Sequence, residues 1–375
     1  MLSETERRIL KLIKESGEIS RVDISRKTGL SKPVVSIVTS KLIKNGLIRE
    51  IGEGRSTKKT GRRPIMLSFV PDYMYVVGLD VGGTKLEGVL ADLEGNIVNE
   101  VVIPTESIRT EKDLFNLVLY SVETLMKGRE DKILGIGIGV PGTVDWKTGI
   151  INYMPAFELR NVNLKKYVQE KFNLTVLIEN DVNLDALAES KIGAGKGFKY
   201  ILLVSIGTGT GAGLILNGAI FRGSCGKAGE VGYIITDWEK EKFFSKDSFG
   251  YLEEWFSGQS LERKFSERGF ERDLKDVFDL LNEDGEIEKI IREGCEHLAL
   301  AIANAIVLLN PEIVIIKGGI GYNQYEKIMA YTVPILEKVV PPEIFEDVSF
   351  RKGKLERFGV ALGGVFLVIE EILKI

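Results

Sequence analysis

Sulfur and imidazole are scarce in this chain. Among 375 residues there are two cysteines, Cys225 and Cys295, and a single histidine, His297. Two thiols so far apart make neither a CxxC pair nor a framework of regular spacings, which excludes a disulfide scaffold and makes a reducing, cytoplasmic setting the expectation. Also missing is any apolar run of about eighteen residues, and the opening MLSETERRILKL carries carboxylates where a signal peptide would be apolar. Neither membrane insertion nor export is expected. Apolar residues in general are not short: at 44% they suffice for the cores of two or three domains.

Charge is unevenly spread. Residues 1 to 68 hold sixteen Lys and Arg against seven Asp and Glu, a balance of +9, whereas the remainder carries −13 within a net charge of −4. A basic segment on an acidic body suits attachment to a polyanion. Helical periodicity decides which kind. Ile9, Leu12 and Ile13 mark one helix; Ser20 and Asp23 open a second that Gly29 stops; Ser31 and Pro33 open a third ending at Gly46. In the third helix Val34, Val35, Val38 and Leu42 are expected inside, with Ser31, Lys32, Ser36, Thr39 and Ser40 on the outer face. Strand-like runs at 47–51 and 65–69 then flank GRSTKKTGRRP, with Arg55, Lys58, Lys59, Arg62 and Arg63. The order reads as a winged helix-turn-helix over residues 1–70, its third helix entering a groove of double-stranded DNA and its basic wing touching phosphates.

This segment, with its GRRP tail, resembles the winged-helix domain of the ROK family of repressors and sugar kinases. The rest of the chain supports the likeness. YVVGLDVGGTKLEGVLADLEGN reads as strand, glycine turn, strand, which fits neither a Walker loop nor a Rossmann fingerprint, since both need a helix after the glycines. It resembles the first phosphate motif of actin-like sugar kinases. The resemblance implies ATP and Mg²⁺ contacts at Asp80, Gly82, Gly83, Thr84 and Lys85, at Gly207, Thr208, Gly209, Thr210 and Gly211 of a second such turn, and at Gly318 and Gly319 of a third.

In LIENDVNLDALAES the family's ND motif falls on Asn180 and Asp181. The likeness implies that Asp181 is the catalytic base that takes a sugar hydroxyl proton, and that Asn180, Glu230, Tyr233 and Glu253 join it in holding the sugar. A plain reading of the same residues is that Asp181 caps the helix that follows. The family's structural zinc is expected to be lost. Its four ligand positions fall on Tyr233, Phe244, Lys246 and Tyr251, of which Tyr233, Phe244 and Tyr251 could instead pack as an aromatic plug, and His297 lies far away.

The expected fold is therefore α/β: the winged helix, then a two-lobed, ribonuclease H-like body with lobes at 71–190 and 191–354, the first completed by the helix at about 355–375. There Gly359, Gly363 and Gly364 should allow close packing. Two functions fit: a sugar-responsive DNA-binding regulator, expected as a homodimer, or an ATP-dependent hexose or N-acetylhexosamine kinase bearing a winged helix.

Overall fold

The computed structural model describes residues 2–54, 63–237, 251–270, 274–281 and 283–374. It divides into two compact units. One comprises Met1–Ile138, Leu164–Leu177 and Gly364–Ile375, and the other comprises Gly139–Asn163 and Ile178–Gly363.

The first unit opens with the winged helix. Helix α1 (Glu4–Ser16) starts in a capping box, in which Ser3 Oγ accepts from the Glu6 N–H and Glu6 Oε2 from the Ser3 N–H. It buries Ile9, Leu10 and Ile13. Strand β1 (Glu18–Ser20) follows; three residues between two helices show no alternation of their own, and only their partner strand makes them a strand. Ser20 then caps α2 (Arg21–Thr28), and Gly29 ends it at φ 73°. After α3 (Lys32–Lys44), strands β2 (Ile48–Glu53) and β3 (Ile65–Phe69) complete a sheet of order β1-β3-β2. Lys14 of α1 donates its ammonium to the Leu93 carbonyl at 2.9 Å, seating this module on the remainder of its unit.

That remainder is built on β4 (Tyr75–Val81), β5 (Lys85–Asp92), β6 (Ile97–Pro104), α4 (Glu111–Met126), β7 (Ile133–Val140), α5 (Leu164–Phe172) and β11 (Val176–Asn180), while the three short strands that follow β7 in the chain, β8 (Thr143–Asp145), β9 (Ile150–Met154) and β10 (Leu159–Val162), belong to the second unit. The five long strands lie in the order β11-β7-β4-β5-β6. Asp92 ties the β5–β6 turn, accepting from the N–H groups of Glu94 and Asn96.

The second unit continues with α6 (Asp181–Ile192), β12 (Ile201–Ile206), β13 (Thr210–Leu216), β14 (Ala219–Ile220), α7 (Tyr251–Trp255), α8 (Gly258–Ser266), α9 (Leu274–Asp279), α10 (Gly285–Leu309), β15 (Ile313–Lys317), α11 (Gly319–Asn323), α12 (Tyr325–Val339), α13 (Pro342–Phe345) and β16 (Ser349–Lys352); the last helix, α14 (Gly359–Leu373), starts in this unit and from Gly364 onward belongs to the first. Its sheet runs β14-β13-β12-β15-β16. The main core gathers sheet residues such as Val204 and Ile316 with Leu298, Ile302 and Ile306 of α10.

Close packing at α14 is as anticipated. A Cβ on Gly363 would stand 2.0 Å from the Leu184 carbonyl oxygen, and one on Gly364 2.8 Å from that of Gly137. Among the described residues no helix is long and apolar enough to cross a membrane.

Candidate functional site

The outer face of α3 differs from expectation by one polar and one apolar side chain. Lys32, Ser36 and Ser40 are exposed, and so is Ser31 just before the helix. Thr39 is not: it is fully buried, its hydroxyl donating to the Val35 carbonyl at 2.8 Å and accepting from Arg21 Nε at 2.9 Å. The buried row is Val35, Thr39 and Leu42, at steps of four and three, and it turns Val34 outward beside Ile37, which is 69% exposed. Ser31 starts the helix without a side-chain cap bond. Arg63 is exposed, while Arg55, Lys58, Lys59 and Arg62 lie outside the described residues. Arg21 also pairs with Glu50 at 2.8 Å, fixing α2 against the wing strand β2.

The first glycine turn joins β4 to β5, which pair antiparallel from Tyr75↔Asp92 to Val81↔Leu86. It is a strand-turn-strand. The Gly82 N–H bonds the Lys85 carbonyl at 3.0 Å, and Thr105 closes the back of the turn, its hydroxyl on the Gly82 carbonyl and its N–H on that of Thr84. Gly83 and Thr84 are exposed. Asp80 faces Glu87 across the ladder, and the Lys85 ammonium lies 2.9 Å from the Glu87 carboxylate. Lys85 is thus engaged by a neighbouring acid, not held ready for phosphate alone.

In the second unit, the polar corner predicted from the ND motif takes shape where β11 meets α6. Asn180, not Asp181, caps the helix: its side-chain oxygen accepts from the Asn183 N–H at 3.1 Å, and its amide donates to the Gly142 carbonyl at 3.1 Å. The capping alternative for Asp181 therefore gives way to a carboxyl that accepts one bond, from the Val182 N–H at 2.9 Å. Burial pushes the Asp181 carboxyl up to about 6, and the charges of Asp185 and Glu230 push the same way. Glu230 joins Asn180, Asn183, Gly142, Gly211 and Gly229 around a cavity of about 40 Å³. Desolvation raises its carboxyl too, with Lys227 opposing.

Two supports of this corner went unread in the sequence. Glu179 is 3% exposed and accepts from the Asn180 N–H, the Asn183 amide and Arg222 Nε, the last at 2.5 Å. Arg222 in turn lies over the Trp146 ring, 4.8 Å from its centroid. An arginine some forty residues from its acid gives no local signal.

The second glycine turn, between β12 and β13, folds back on the helices that follow. Gly207 N–H bonds the Gly209 carbonyl, and the carbonyls of Gly207 and Thr208 accept from the N–H groups of Gly258 and Gln259. Thr208 is exposed, but Thr210 is buried with its hydroxyl on the Phe256 carbonyl at 2.5 Å, so that hydroxyl is withdrawn from any phosphate. Glu253 belongs to this turn, accepting from the Thr210 N–H at 3.2 Å. Tyr233 is 47% exposed; after burial, the charges of Glu230 and Glu253 raise its phenol. The third turn abuts the second: a Cβ on Gly207 would lie 3.8 Å from the Gly319 nitrogen, and Gly318 sits at φ 78° with its α-carbon against the Ile206 backbone.

Of the four positions matching zinc ligands, Tyr233 and Tyr251 are described and Phe244 and Lys246 lie outside the described residues. The proposed plug rests on Phe244 and so falls outside them as well. Among the described residues no three His, Cys, Asp or Glu side chains gather as a metal site. His297 stacks on Trp255 at 3.9 Å and shares a 2.8 Å hydrogen bond with Thr236, as a packed helix residue does. On the same helix, burial pushes the Cys295 thiol up to about 12 and leaves it inert.

Comparison with known proteins agrees with this architecture. Residues 76–371 match the ROK family model, and residues 2–49 match that of winged helix-turn-helix DNA-binding domains. The xylose repressor of Bacillus spizizenii is 33% identical, with 98% of this chain and 95% of that protein covered. The crystal structure of a ROK family transcriptional regulator, a homologue of the Escherichia coli MLC protein, superposes with a TM-score of 0.84 at 25% identity, covering 98% of this chain and 96% of that one. The ROK hexokinase of Thermus thermophilus superposes at 0.70 with 26% identity, over 80% of this chain and the whole of that one. A winged helix-turn-helix joined to an actin-like body, matched in sequence along almost its entire length, establishes that this chain belongs to the ROK family and is one of its transcriptional regulators.

Proposed function

We propose that this regulator is a repressor whose effector is an aldopentose, bound through Asn180, Asp181 and Glu230. The observation that carries this reading is the polar corner itself: the Glu230 carboxyl and the Asn180 and Asn183 amides line a cavity of about 40 Å³ with glycines for neighbours, and Asp181 is held beside it, next in sequence to Asn180. Hydroxyl-rich ligands are recognised by such polar groups. The similarity to a xylose repressor along 98% of the chain supports a pentose. Two winged helices in a homodimer would read paired half-sites, with α3 in the major groove and the basic wing on phosphates.

Calorimetric titration with D-xylose, D-glucose and N-acetylglucosamine tests the reading. Xylose should bind most tightly, and Asp181→Asn should weaken it by tenfold or more. Equal or stronger binding of N-acetylglucosamine would overturn the assignment.

A second reading, phosphoryl transfer to the sugar, has one observation in its favour. An Asp181 carboxyl that titrates near 6 is well matched to accept a hydroxyl proton at neutral pH. In that reading Asp80 and the turns at 82–85, 207–211 and 318–319 would hold ATP and Mg²⁺, which supply the phosphoryl group and its charge neutralisation. The fit is incomplete: the Thr210 hydroxyl is bonded to Phe256, the Thr210 N–H to Glu253, and Lys85 pairs with Glu87. ATP turnover with Mg²⁺ across the same sugars, lost in Asp181→Asn, would establish the kinase.

A further inference from the structure

Asp181, Asp185 and Glu189 stand at four-residue steps along one side of α6. Only the first belongs to the sugar corner. Asp185 and Glu189 are 8% and 0% exposed, and two carboxylates sealed so deeply do not stay charged without a cation. Lys317, the last residue of β15, provides it. Its ammonium is 3.0 Å from Asp185 Oδ1 and 3.6 Å from Glu189 Oε1, and it donates to the Leu355 carbonyl.

The remaining acceptors are filled by backbone. Glu189 Oε1 receives the N–H groups of Lys354 and Leu355 at 2.9 and 2.8 Å, and Oε2 that of Ala194 at 2.6 Å. The walls are cut to fit. A Cβ at Gly353 would meet the Lys317 stem at 2.7 Å, and one at Gly359 would meet Asp185 Oδ1 at 2.2 Å. Lys317 directly precedes Gly318 and Gly319, the turn that abuts Gly207.

We propose that Asp185 and Lys317 are positioning residues, placing a paired negative charge one helical turn behind Asp181 and locking its helix to the glycine turn at Gly318–Gly319. The proposal rests on Asp181 as a sugar ligand. Asp181 is faced by Asp185 from its own helix and by Glu230 from the segment before Val231, both acidic; Glu230 is faced by Lys227. Asp185 is faced by Lys317 from β15 and by Glu189 from its own helix, and burial favours its protonated form while Lys317 opposes this.

Asp185→Asn deletes a negative charge beside Asp181 and keeps the Lys317 ammonium. It should lower the midpoint of the Asp181 titration by about one pH unit, read by carboxyl carbon NMR on the full chain with Asp181→Asn to assign the resonance. Lys317→Met removes a positive charge while letting Asp185 protonate, so its midpoint should move less than that of Asp185→Asn. It should also destabilise the fold, and the double variant Asp185→Asn/Lys317→Met should recover stability. A merely structural cluster would change stability and leave the midpoint alone. An unchanged midpoint in Asp185→Asn overturns the proposal. Calorimetry with D-xylose judges the sugar reading separately: absence of binding removes that reading, whereas the NMR midpoints still decide the positioning role.

Discussion

Asp181 carries a burden that its neighbour could have taken. Because Asn180 supplies the cap, the Asp181 carboxyl is held half-buried with a single backbone donor and two acidic neighbours. An acid at about 6 in the fold against 3.8 in the unfolded chain takes up a proton on folding between those values. Its charged form thus lowers stability in full above pH 6, and the penalty fades as pH falls from 6 towards 4, below which it is gone. Urea unfolding should accordingly show Asp181→Asn more stable than the parent by ~1–2 kcal/mol at pH 7.5 and equal to it near pH 3.5; a loss of stability at pH 7.5 would contradict this. Thr39 makes the opposite point. Thr39→Val should destabilise the winged helix by ~1 kcal/mol, since it strips a partner from the partly buried Arg21 Nε. Ser36→Ala and Ser40→Ala, both on the exposed face, should leave stability unchanged and weaken DNA binding, measured by fluorescence anisotropy. The ND motif was legible because its residues are adjacent; the inward turn of Thr39 was not, because hydroxyl chemistry alone does not say which side of a helix a threonine joins.

At the scale of elements, caps and turns were the most readable features. The Ser20–Asp23 start, the Gly29 stop and the strand-turn-strand glycine motifs all appear where local residue chemistry puts them. Strand β1 and the bond from Glu253 to the second glycine turn depend on distant partners and left no local trace. Two element-level outcomes follow. Gly363→Ala should lower stability by at least ~2 kcal/mol or prevent folding, because its methyl has backbone and not side chain against it; differential scanning calorimetry reads the loss. Replacing Arg62 and Arg63 by Ala should weaken binding to all duplexes about equally and flatten the salt dependence by roughly one unit per lost phosphate contact. An unchanged slope would return the wing sequence to the status of linker.

Across the whole molecule, one chain joins a basic DNA-reading module to an acidic body with a polar corner, and the charge split of +9 against −13 already announces the division of labour. Regulation requires that sugar bind two states of the protein with different affinity, for otherwise it shifts nothing. The direct test starts from duplexes selected by the purified chain from a random library and compares their affinity with and without D-xylose, for the parent and for Asp181→Asn. The account predicts a selected site with paired half-sites whose affinity changes at least tenfold with xylose, an effect abolished in Asp181→Asn. Xylose that binds the protein yet leaves DNA affinity unchanged would contradict it.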